Sequence, residues 1–387
     1  MTLADAYMGG SGIAQDLLDL RATIRQIARE RIAPRAAEID RTSAYPHDVR
    51  ELLGANDILA LPFPEHYGGT GTGTLMLQMA VEEIARADAS CALILMLQEL
   101  GTLPIALFGT EEQKRRFLPK CAAGEWAAAF ALSEAEAGSN PAAMRTTAVQ
   151  DGDGWLINGT KNWISNAGVA DFYVVFAVTD RASARVTAFV VEADRPGFSI
   201  GGYEHKLGIR GSPTGSPVFE DVRVPAENVI GEVGRGMRVA LGTLERTRLG
   251  AAAQAVGIAQ GAIDCAVGYA KERIAFGKPI IELQGIQFKL ADMQTGTAAA
   301  RELLYKACAL ADQHPPPRDF GMWTSMAKLF ASDNAMRVTV EAVQVLGGYG
   351  YVTDYPVERM MRDAKITQIY EGTNEIQRVV IARHLAS

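Results

Sequence analysis

The feature that most constrains the fold is a change in residue composition along the chain. Segments rich in β-branched residues separate two long regions with helical spacing. Four β-rich runs, bounded by Gly, Pro or Asp, lie at 155–158, 174–178, 186–191 and 218–224. No helical stretch lies between them, so they predict an antiparallel sheet or small barrel rather than βαβ units or a Rossmann domain. The pair Asn158-Gly159 predicts a tight turn after the first run.

The flanking regions show helical spacing. Apolar residues recurring every three to five positions predict an amphipathic helix over 13–38, which Pro34 bends or ends. Thr110 followed by Gln113 predicts a capping box, opening a helix that runs to about Cys121 and stops near Gly124.

Three long segments rich in Ala, Leu and Met follow the β region, at 237–276, 283–314 and 321–346. Long helices with short breaks are typical of a bundle. The sequence therefore predicts an α+β fold that is mostly α. Its predicted parts are an all-helical domain at 1–125, an antiparallel β domain at 126–233 and a four-helix bundle at 234–387.

Composition excludes several classes of protein. The 387 residues carry 38 Lys plus Arg against 45 Asp plus Glu, a net charge of -7, so nothing indicates binding to nucleic acid or an anionic membrane. The apolar run near 91–96 soon reaches Glu99, and we expect no membrane span. Neither a basic signal region nor an Arg-rich transit peptide is visible, so we expect a cytoplasmic, bacterial-type protein, or a mitochondrial matrix protein already processed. The scattered cysteines predict neither a disulfide nor a metal site.

Two segments in the middle region suit a ligand. Residues 130–140 (FALSEAEAGSN) begin as a strand and end in a loop where Gly138 and Ser139 let a ligand approach the backbone. Residues 161–166 (KNWISN) place Trp163 and Ser165 on one side of a predicted strand, a pair that suits a flavin. A plain surface turn and a core tryptophan are the alternatives.

The third segment, residues 368–378 (QIYEGTNEIQR), places Glu371 before Gly372 at a break ahead of a closing helix. Taken alone, such a Glu is usually a solvated turn carboxylate.

These segments, with five others, resemble the acyl-CoA dehydrogenase family in order along nearly the whole chain. The five are 206–212 (KLGIRGS), 219–225 (FEDVRVP), 273–277 (RIAFG), 287–293 (QFKLADM) and 344–350 (QVLGGYG). The resemblance, to short- and medium-chain members, implies FAD-dependent oxidation of acyl-CoA to trans-2-enoyl-CoA. Glu371 would take the α-proton, and the β-hydride would pass to flavin N5.

The resemblance also assigns cofactor residues. Those lining or flanking the flavin are Phe130, Leu132, Ser133, Gly138, Trp163 and Ser165, with Thr373 and Glu375 beside the closing helix. Those contacting the FAD of a neighbouring subunit are Arg273, Phe276, Gln344, Gly347 and Gly348. FAD would therefore bridge subunits of a homo-oligomer, a tetramer built as a dimer of dimers, and an electron-transfer flavoprotein would accept the electrons.

The substrate residues that the resemblance implies are Ser139 near CoA, Leu244, Glu245 and Arg248 along the thioester and pantetheine channel, and Tyr370 and Gly372 beside the base. Met96 and Leu100 lie on the face of a helix at 92–100 that would close the far end of the acyl cavity, favouring short to medium straight chains. The alternative is that this helix face belongs to the hydrophobic core and lines no cavity. A minority of members carry the base at the position of Thr247, so Thr247 with Glu371 indicates the common arrangement. The chain departs from the family at 133–136 (SEAE, where Thr-Glu-Pro is commoner) and at Asn140, where Asp is usual.

The chemistry requires a strengthened base, and burial against Tyr370, Trp163 and the flavin would raise the pKa of Glu371. The resemblance implies that the backbone N–H of Glu371 and a flavin ribityl hydroxyl stabilise the thioester oxygen. An oxygen-using flavoenzyme of the same fold and a non-catalytic flavin-binding scaffold are the alternatives. Fatty-acid and branched-chain amino-acid breakdown both use this chemistry, and the sequence does not choose between them.

Overall fold

Residues 13–386 are described by the computed structural model, in which the N-terminal third is helical as the apolar spacing predicts. Its helices are α1 (Gln15–Ile27), α2 (Ala36–Thr42), α3 (His47–Ala55), α4 (Gly73–Ala87), α5 (Ala89–Phe108) and α6 (Glu111–Ala122). The capping box at α6 is confirmed, because Gln113 N donates to Thr110 Oγ1 and Thr110 N donates to Gln113 Oε1.

Pro34 does not end the first helical path. A π-helical turn (Ala28–Ile32) and a 3₁₀ turn (Ala33–Arg35) join α1 to α2, so four short elements replace the single helix predicted over 13–38. A proline lacks the amide hydrogen that the interior of an α-helix needs. Pro34 lies at the start of the 3₁₀ turn, where that amide hydrogen is not required.

The middle region forms one sheet and confirms the four predicted runs. Its strands are β1 (Ala128–Ala131), β2 (Thr147–Asp151), β3 (Gly154–Thr160), β4 (Ile164–Ser165), β5 (Phe172–Asp180), β6 (Arg185–Glu192), β7 (Phe198–Tyr203), β8 (Thr214–Pro225) and β9 (Val229–Ile230). The order is β4-β8-β3-β2-β5-β6-β9, with β1 beside β5 and β7 beside β8. Most neighbours are antiparallel, while β5 pairs in parallel with β1 and β2.

Alternate residues of β5 pack against different partners. Val174 and Phe176 join the core formed with the N-terminal helices, whereas Tyr173 and Val175 pack inside the sheet domain. Because successive side chains of a strand point to opposite faces, both faces of β5 are buried, which explains its continuous apolar run.

The predicted tight turn at Asn158-Gly159 is wrong. Both residues lie inside β3, at a bulge where the register with β8 shifts. Gly159 has a φ of 143°, and a Cβ there would lie 2.7 Å from the Cα of Thr146, so glycine is required. A glycine that permits positive φ suits a bulge as well as a turn.

The C-terminal region is a helical bundle with a small hairpin. Its elements are α7 (Gly236–Glu272), β10 (Ile274–Ala275), β11 (Lys278–Pro279), α8 (Gln284–Ala311), α9 (Phe320–Leu346), α10 (Val357–Ile366) and α11 (Asn374–Leu385). Buried residues of α1, α4 and α5 belong to the same hydrophobic core as those of α7, α8 and α9. The predicted helical domains at 1–125 and 234–387 therefore share one core.

A buried ion network links the two helical regions. Glu82 of α4 accepts hydrogen bonds from Arg21 of α1 and from Arg301 and Tyr305 of α8, each at 2.8 Å. Removing one partner of such a buried pair leaves an uncompensated charge, so the network fixes α4 in position.

Helix α5 is longer than the apolar run at 91–96 suggested. It is the one helix of residues 13–386 long and apolar enough to cross a bilayer by length and composition, with 20 residues and a mean hydropathy of 1.8. Within the protein, 72% of that window is buried, which accounts for its apolar sequence.

Candidate active site

Glu371 lies in the short loop between α10 and α11. Thr373 caps α11, accepting a hydrogen bond from Ile376 N at 3.4 Å. Gly372 has a φ of 85°, and Glu371 itself has a φ of 55°. The left-handed region is strained for a residue with a side chain and persists only where the surroundings enforce it. The loop must therefore be held by contacts.

Three helices hold the loop. Lys328 of α9 donates from Nζ to the carbonyl oxygen of Gly372 at 2.8 Å. Gln377 of α11 donates from Nε2 to the same oxygen at 2.9 Å and to the Glu371 carbonyl at 3.2 Å. Arg248 of α7 in turn donates to Gln377 Oε1 at 3.2 Å. These contacts fix the backbone carbonyls of Glu371 and Gly372.

The Glu371 carboxylate has one direct partner. Thr247 Oγ1 of α7 donates to Oε2 at 2.9 Å, and Oε1 accepts no hydrogen bond from the described residues. Burial raises the pKa of Glu371, opposed by the Thr247 hydrogen bond and the charges of Arg248 and Lys328. A raised pKa of Glu371 agrees with a strengthened base and not with a solvated turn carboxylate.

The backbone beside Glu371 offers a free donor. Over residues 13–386, the N–H of Glu371 donates to no backbone or side-chain acceptor. The neighbouring Tyr370 hydroxyl donates to Gln254 Oε1, and Gln254 Nε2 donates to the carbonyl of Ala89 at 2.8 Å. Burial raises the pKa of Tyr370 well above its ordinary value, so its phenol stays neutral.

The structure brings the two middle-region motifs side by side. Asn162 N donates to the carbonyl of Ser133 at 2.9 Å, and Lys161 Nζ donates to the carbonyl of Leu132 at 3.1 Å. Phe130 packs behind them, with its ring centroid 4.9 Å from that of Phe176. The segment that carries Leu132 and Ser133 thus lies beside the segment that leads into Trp163.

Trp163 lies at the surface, immediately before β4. It has a φ of 63° and precedes the two-residue β4, so it does not share a strand face with Ser165. It is 60% exposed and is therefore not a core tryptophan. An exposed indole is free to pack on a flat ligand. At the nearby loop, Gly138 and Ser139 are exposed, and a Cβ on Gly138 would meet nothing within 4 Å.

Three of the five predicted intersubunit residues, Arg273, Gly347 and Gly348, line an open cleft of about 540 Å³ between α7, α9 and the turn after α9. Arg273 lies at its edge, with its guanidinium carbon 5.5 Å from the Tyr349 ring centroid. A Cβ on Gly347 or Gly348 would meet nothing within 4 Å, and Gln344 is exposed at the end of α9.

These groups fit FAD. An Arg beside an open glycine pair suits a diphosphate, and the exposed Trp163 suits the flavin ring. The hairpin of β10 and β11 adds Phe276, which is 90% exposed with a φ of 54°. Ile274 of the same hairpin is 57% exposed, and neighbouring exposed apolar side chains of this kind suit contact with a partner or ligand.

The predicted channel residues of α7 point in different directions. Leu244 packs toward the core beneath the sheet, and Glu245 lies against α9, since a Cβ on Gly321 would be 2.2 Å from Glu245 Oε1. Arg248 is buried and donates to Leu244 O, Ser325 Oγ and Gln377 Oε1. These contacts fix the Arg248 guanidinium close to the Glu371 loop, and its role along a substrate channel stays a prediction.

Met96 and Leu100 lie on α5, and Met96 faces α7 at Gly250. Sequence reasoning missed four polar residues near the loop or on this side of α7, namely Gln78, Glu99, Gln254 and Lys328. The available signal was polarity inside apolar helices, as with Glu99 in the run of α5. Thr373 and Glu375 lie at the start of α11, where Glu375 is exposed.

Three family profiles match the chain. They describe the N-terminal domain of acyl-CoA dehydrogenase at residues 14–125, the middle domain at 129–222 and the C-terminal domain at 234–386.

Curated relatives agree. A Mycobacterium leprae protein named as a probable acyl-CoA dehydrogenase is 50% identical over 95% of this chain and 94% of its own. The human mitochondrial short-chain specific acyl-CoA dehydrogenase is 46% identical over 95% of this chain and 89% of its own.

Solved structures share the fold. The butyryl-CoA dehydrogenase of Megasphaera elsdenii has a TM-score of 0.94 and 44% identity, covering 97% of this chain and 99% of that one. A chain from work on the electron transferring flavoprotein of Acidaminococcus fermentans has a TM-score of 0.94 and 42% identity, with the same coverage. A glutaryl-CoA dehydrogenase of Mycobacterium smegmatis in complex with FADH2 has a TM-score of 0.92 and 30% identity, covering 99% and 98%. With the profiles spanning the chain and the loop of Glu371 intact, the protein belongs to the acyl-CoA dehydrogenase family of FAD-dependent oxidoreductases.

Proposed function

We propose that the protein converts acyl-CoA thioesters into trans-2-enoyl-CoA, with Glu371 as the base that removes the α-proton. The observation that carries this proposal is the Glu371 carboxylate itself, bound on one oxygen by Thr247 and made more basic by burial. A base whose pKa is raised toward neutrality is best matched to abstracting a weakly acidic proton.

The chain's own groups supply the proton transfer. The α C–H bond breaks, the proton goes to Glu371 Oε1, and the electron pair forms the Cα=Cβ bond. The free N–H of Glu371 donates to the thioester oxygen as negative charge develops there, and one such donor is worth about 3 to 4 kcal/mol in other enzymes. FAD, when bound, accepts the hydride that leaves the β-carbon.

The acyl chain we propose is short to medium in length. Support comes from the short-chain and butyryl-CoA relatives and from Met96, whose side chain lies against α7 one turn beyond Thr247. Met96→Ala should shift the optimum of kcat/KM toward longer acyl chains. An unchanged length profile would remove α5 from the substrate site.

The quaternary arrangement we propose is a tetramer built as a dimer of dimers, with FAD held between subunits. Exposed apolar side chains near the open cleft support it, since Ile274, Phe276 and Tyr351 are 57%, 90% and 86% exposed. An electron-transfer flavoprotein is the proposed electron acceptor, supported by the Acidaminococcus fermentans neighbour.

The test is anaerobic mixing of the FAD-loaded protein with butyryl-, hexanoyl- and octanoyl-CoA. We expect the flavin absorbance to bleach, the enoyl product to form, and reoxidation in air to be slow compared with an artificial acceptor. Absence of bleaching with every acyl-CoA would leave a non-catalytic flavin-binding scaffold. Fast reoxidation by oxygen would instead identify an oxidase of the same fold.

A further inference from the structure

A buried polar pair lies between α4 and α5, and the reaction described above does not use it. Gln78 is fully buried, and Glu99 is 8% exposed. Gln78 Nε2 donates to Glu99 Oε2 over a long 3.4 Å, while Gln78 Oε1 has no partner over residues 13–386. Exchanging the two amide atoms would leave the nitrogen without a partner instead. Native proteins rarely keep a buried amide atom unsatisfied unless a water or ligand completes it.

The pair lies on the side of α7 that also carries Thr247. Gly250 is three residues after Thr247, so the two residues share a face of the helix. A methyl group placed on Gly250 would lie 3.5 Å from Met96 Cε and 3.7 Å from Gln78 Oε1, which is ordinary contact. The glycine thus leaves a space of at least methyl size between Met96 and the unpaired amide oxygen. Thr247, Gly250 and the pair form a row leading away from the Glu371 carboxylate.

Charges around the pair select the chemistry of an occupant. Burial raises the pKa of Glu99 to about 8, opposed by the Gln78 hydrogen bond and Arg246 and reinforced by Glu371. Glu99 is therefore mostly neutral at pH 7. Arg246 is already engaged, donating to the Ala311 carbonyl at 3.1 Å and lying 5.6 Å from the Phe320 ring centroid. An acyl group that ends in a carboxylate would place that carboxylate near the carboxyl groups of Glu99 and Glu371. The pair therefore does not favour a negatively charged occupant.

We propose that the acyl group this protein oxidises carries a hydrogen-bond donor beyond its β-carbon, a hydroxyl or an amine, which Gln78 Oε1 and Glu99 receive. This inference rests on the proposed function and names its substrate class. A purely alkyl chain leaves the amide oxygen unpaired, and a site built to bind a hydroxyl discriminates strongly against an analogue lacking it.

The test compares acyl-CoA pairs of matched shape, in which a terminal hydroxyl replaces a methyl group. The pairs are 4-hydroxybutyryl-CoA with pentanoyl-CoA, 5-hydroxypentanoyl-CoA with hexanoyl-CoA and 6-hydroxyhexanoyl-CoA with heptanoyl-CoA. We expect the hydroxyl member to have at least about a tenfold higher kcat/KM at one or more lengths. Preference for the methyl member at every length overturns the inference for a hydroxyl group. A further comparison then tests an amine as the donor. In that comparison 5-aminopentanoyl-CoA is set against hexanoyl-CoA, and a preference for the amine identifies a cationic donor.

Two variants test whether Gln78 and Glu99 cause the preference for the hydroxyl member. Gln78→Met and Glu99→Met should each lower the hydroxyl-to-methyl ratio of kcat/KM by about tenfold, whereas the exposed Glu112→Gln should leave it unchanged. Using a ratio within each variant cancels any effect of Glu99 on the base. Calorimetric titration of Glu371→Gln with the same pairs gives binding without turnover and should show the same order.

The outcomes separate the two proposals. If no acyl-CoA of either kind bleaches the flavin, the proposed function fails. If alkyl acyl-CoAs bleach it at least as well as every donor-bearing partner, only the present inference fails. Should both variants prove unfolded, the ratios of the unmodified enzyme decide the question.

Discussion

The loop of Glu371 and the cleft of Arg273 are built in opposite ways. Around Glu371 the anchors come from three helices of the same chain, and the carboxylate, Lys328 and Arg248 are packed and hydrogen-bonded. Around Arg273 the surface is open, since a Cβ on Gly347 would meet nothing within 4 Å and Phe276 is 90% exposed.

The contrast teaches which part of the reaction one chain can prepare alone. The proposed base, Glu371, is positioned by folding, because buried contacts enforce the strain at its left-handed backbone. The proposed cofactor surface is open, so in our proposal FAD and another subunit complete it. Variants at the loop should therefore change the rate without changing FAD content, and variants at the cleft should do the reverse.

The largest effect is expected for Glu371→Gln, which preserves the shape of the side chain and removes the proposed base. Flavin reduction by acyl-CoA should fall by at least about a hundredfold, because general-base loss typically costs that much or more. Stopped-flow absorbance measures the rate, and FAD content should stay unchanged. The exposed Glu302→Gln is the matched control. A variant that reduces its flavin at more than about a hundredth of the original rate would assign the base elsewhere.

The next effect is expected for Lys328→Met. Lys328 is fully buried, and burial lowers its pKa to about 7, so below that pH it is charged and favours the Glu371 carboxylate. Removing the charge and the hydrogen bond to Gly372 should lower kcat about tenfold. It should also raise the pKa of Glu371, moving the acidic limb of the pH–rate profile to higher pH.

The position of that limb separates two roles of Lys328. A residue that only supports the fold would lower the rate without moving the limb. Lys114→Met, at a partly exposed site on α6 far along the chain from the loop, should change neither quantity.

The two regions also differ in how far the sequence could predict them. Helices and most strands follow from apolar spacing, since packing requires a repeat of 3.6 or 2. The assignment of Glu371 came from family resemblance, because its partner Thr247 is 124 residues away and no local pattern links them. Lys328 gave no usable signal, because a lysine in a helix indicates a solvated face until its acceptor, 44 residues on, is known. The bulge at Gly159 could not be predicted for the same reason, because it depends on the register with the facing strand β8.

At the cleft, Arg273→Ala should weaken FAD binding about tenfold, the usual scale for one charge-assisted hydrogen bond to a phosphate. If the same cofactor joins two subunits, the oligomer should dissociate at higher protein concentration as well. Flavin content and sedimentation, measured in parallel, check both expectations. Arg181→Ala, in the exposed turn after β5, serves as control. Loss of neither property would mean that Arg273 does not hold FAD between subunits.

The smallest effect is expected for Thr247→Val, which keeps the shape of the side chain and removes one hydrogen bond to Glu371 Oε2. That bond favours the ionised carboxylate, so its loss should raise the pKa of Glu371 further and move the acidic limb of the profile to higher pH. Above the limb the carboxylate is ionised in both proteins, and the variant's base is the stronger of the two. The rate there should consequently change by less than about tenfold, because the loss of positioning opposes the gain in basicity. A large rate loss at every pH with an unmoved limb would show that Thr247 orients Glu371 rather than tuning it. In that case the carboxylate's position depends on α7 as much as the loop backbone does.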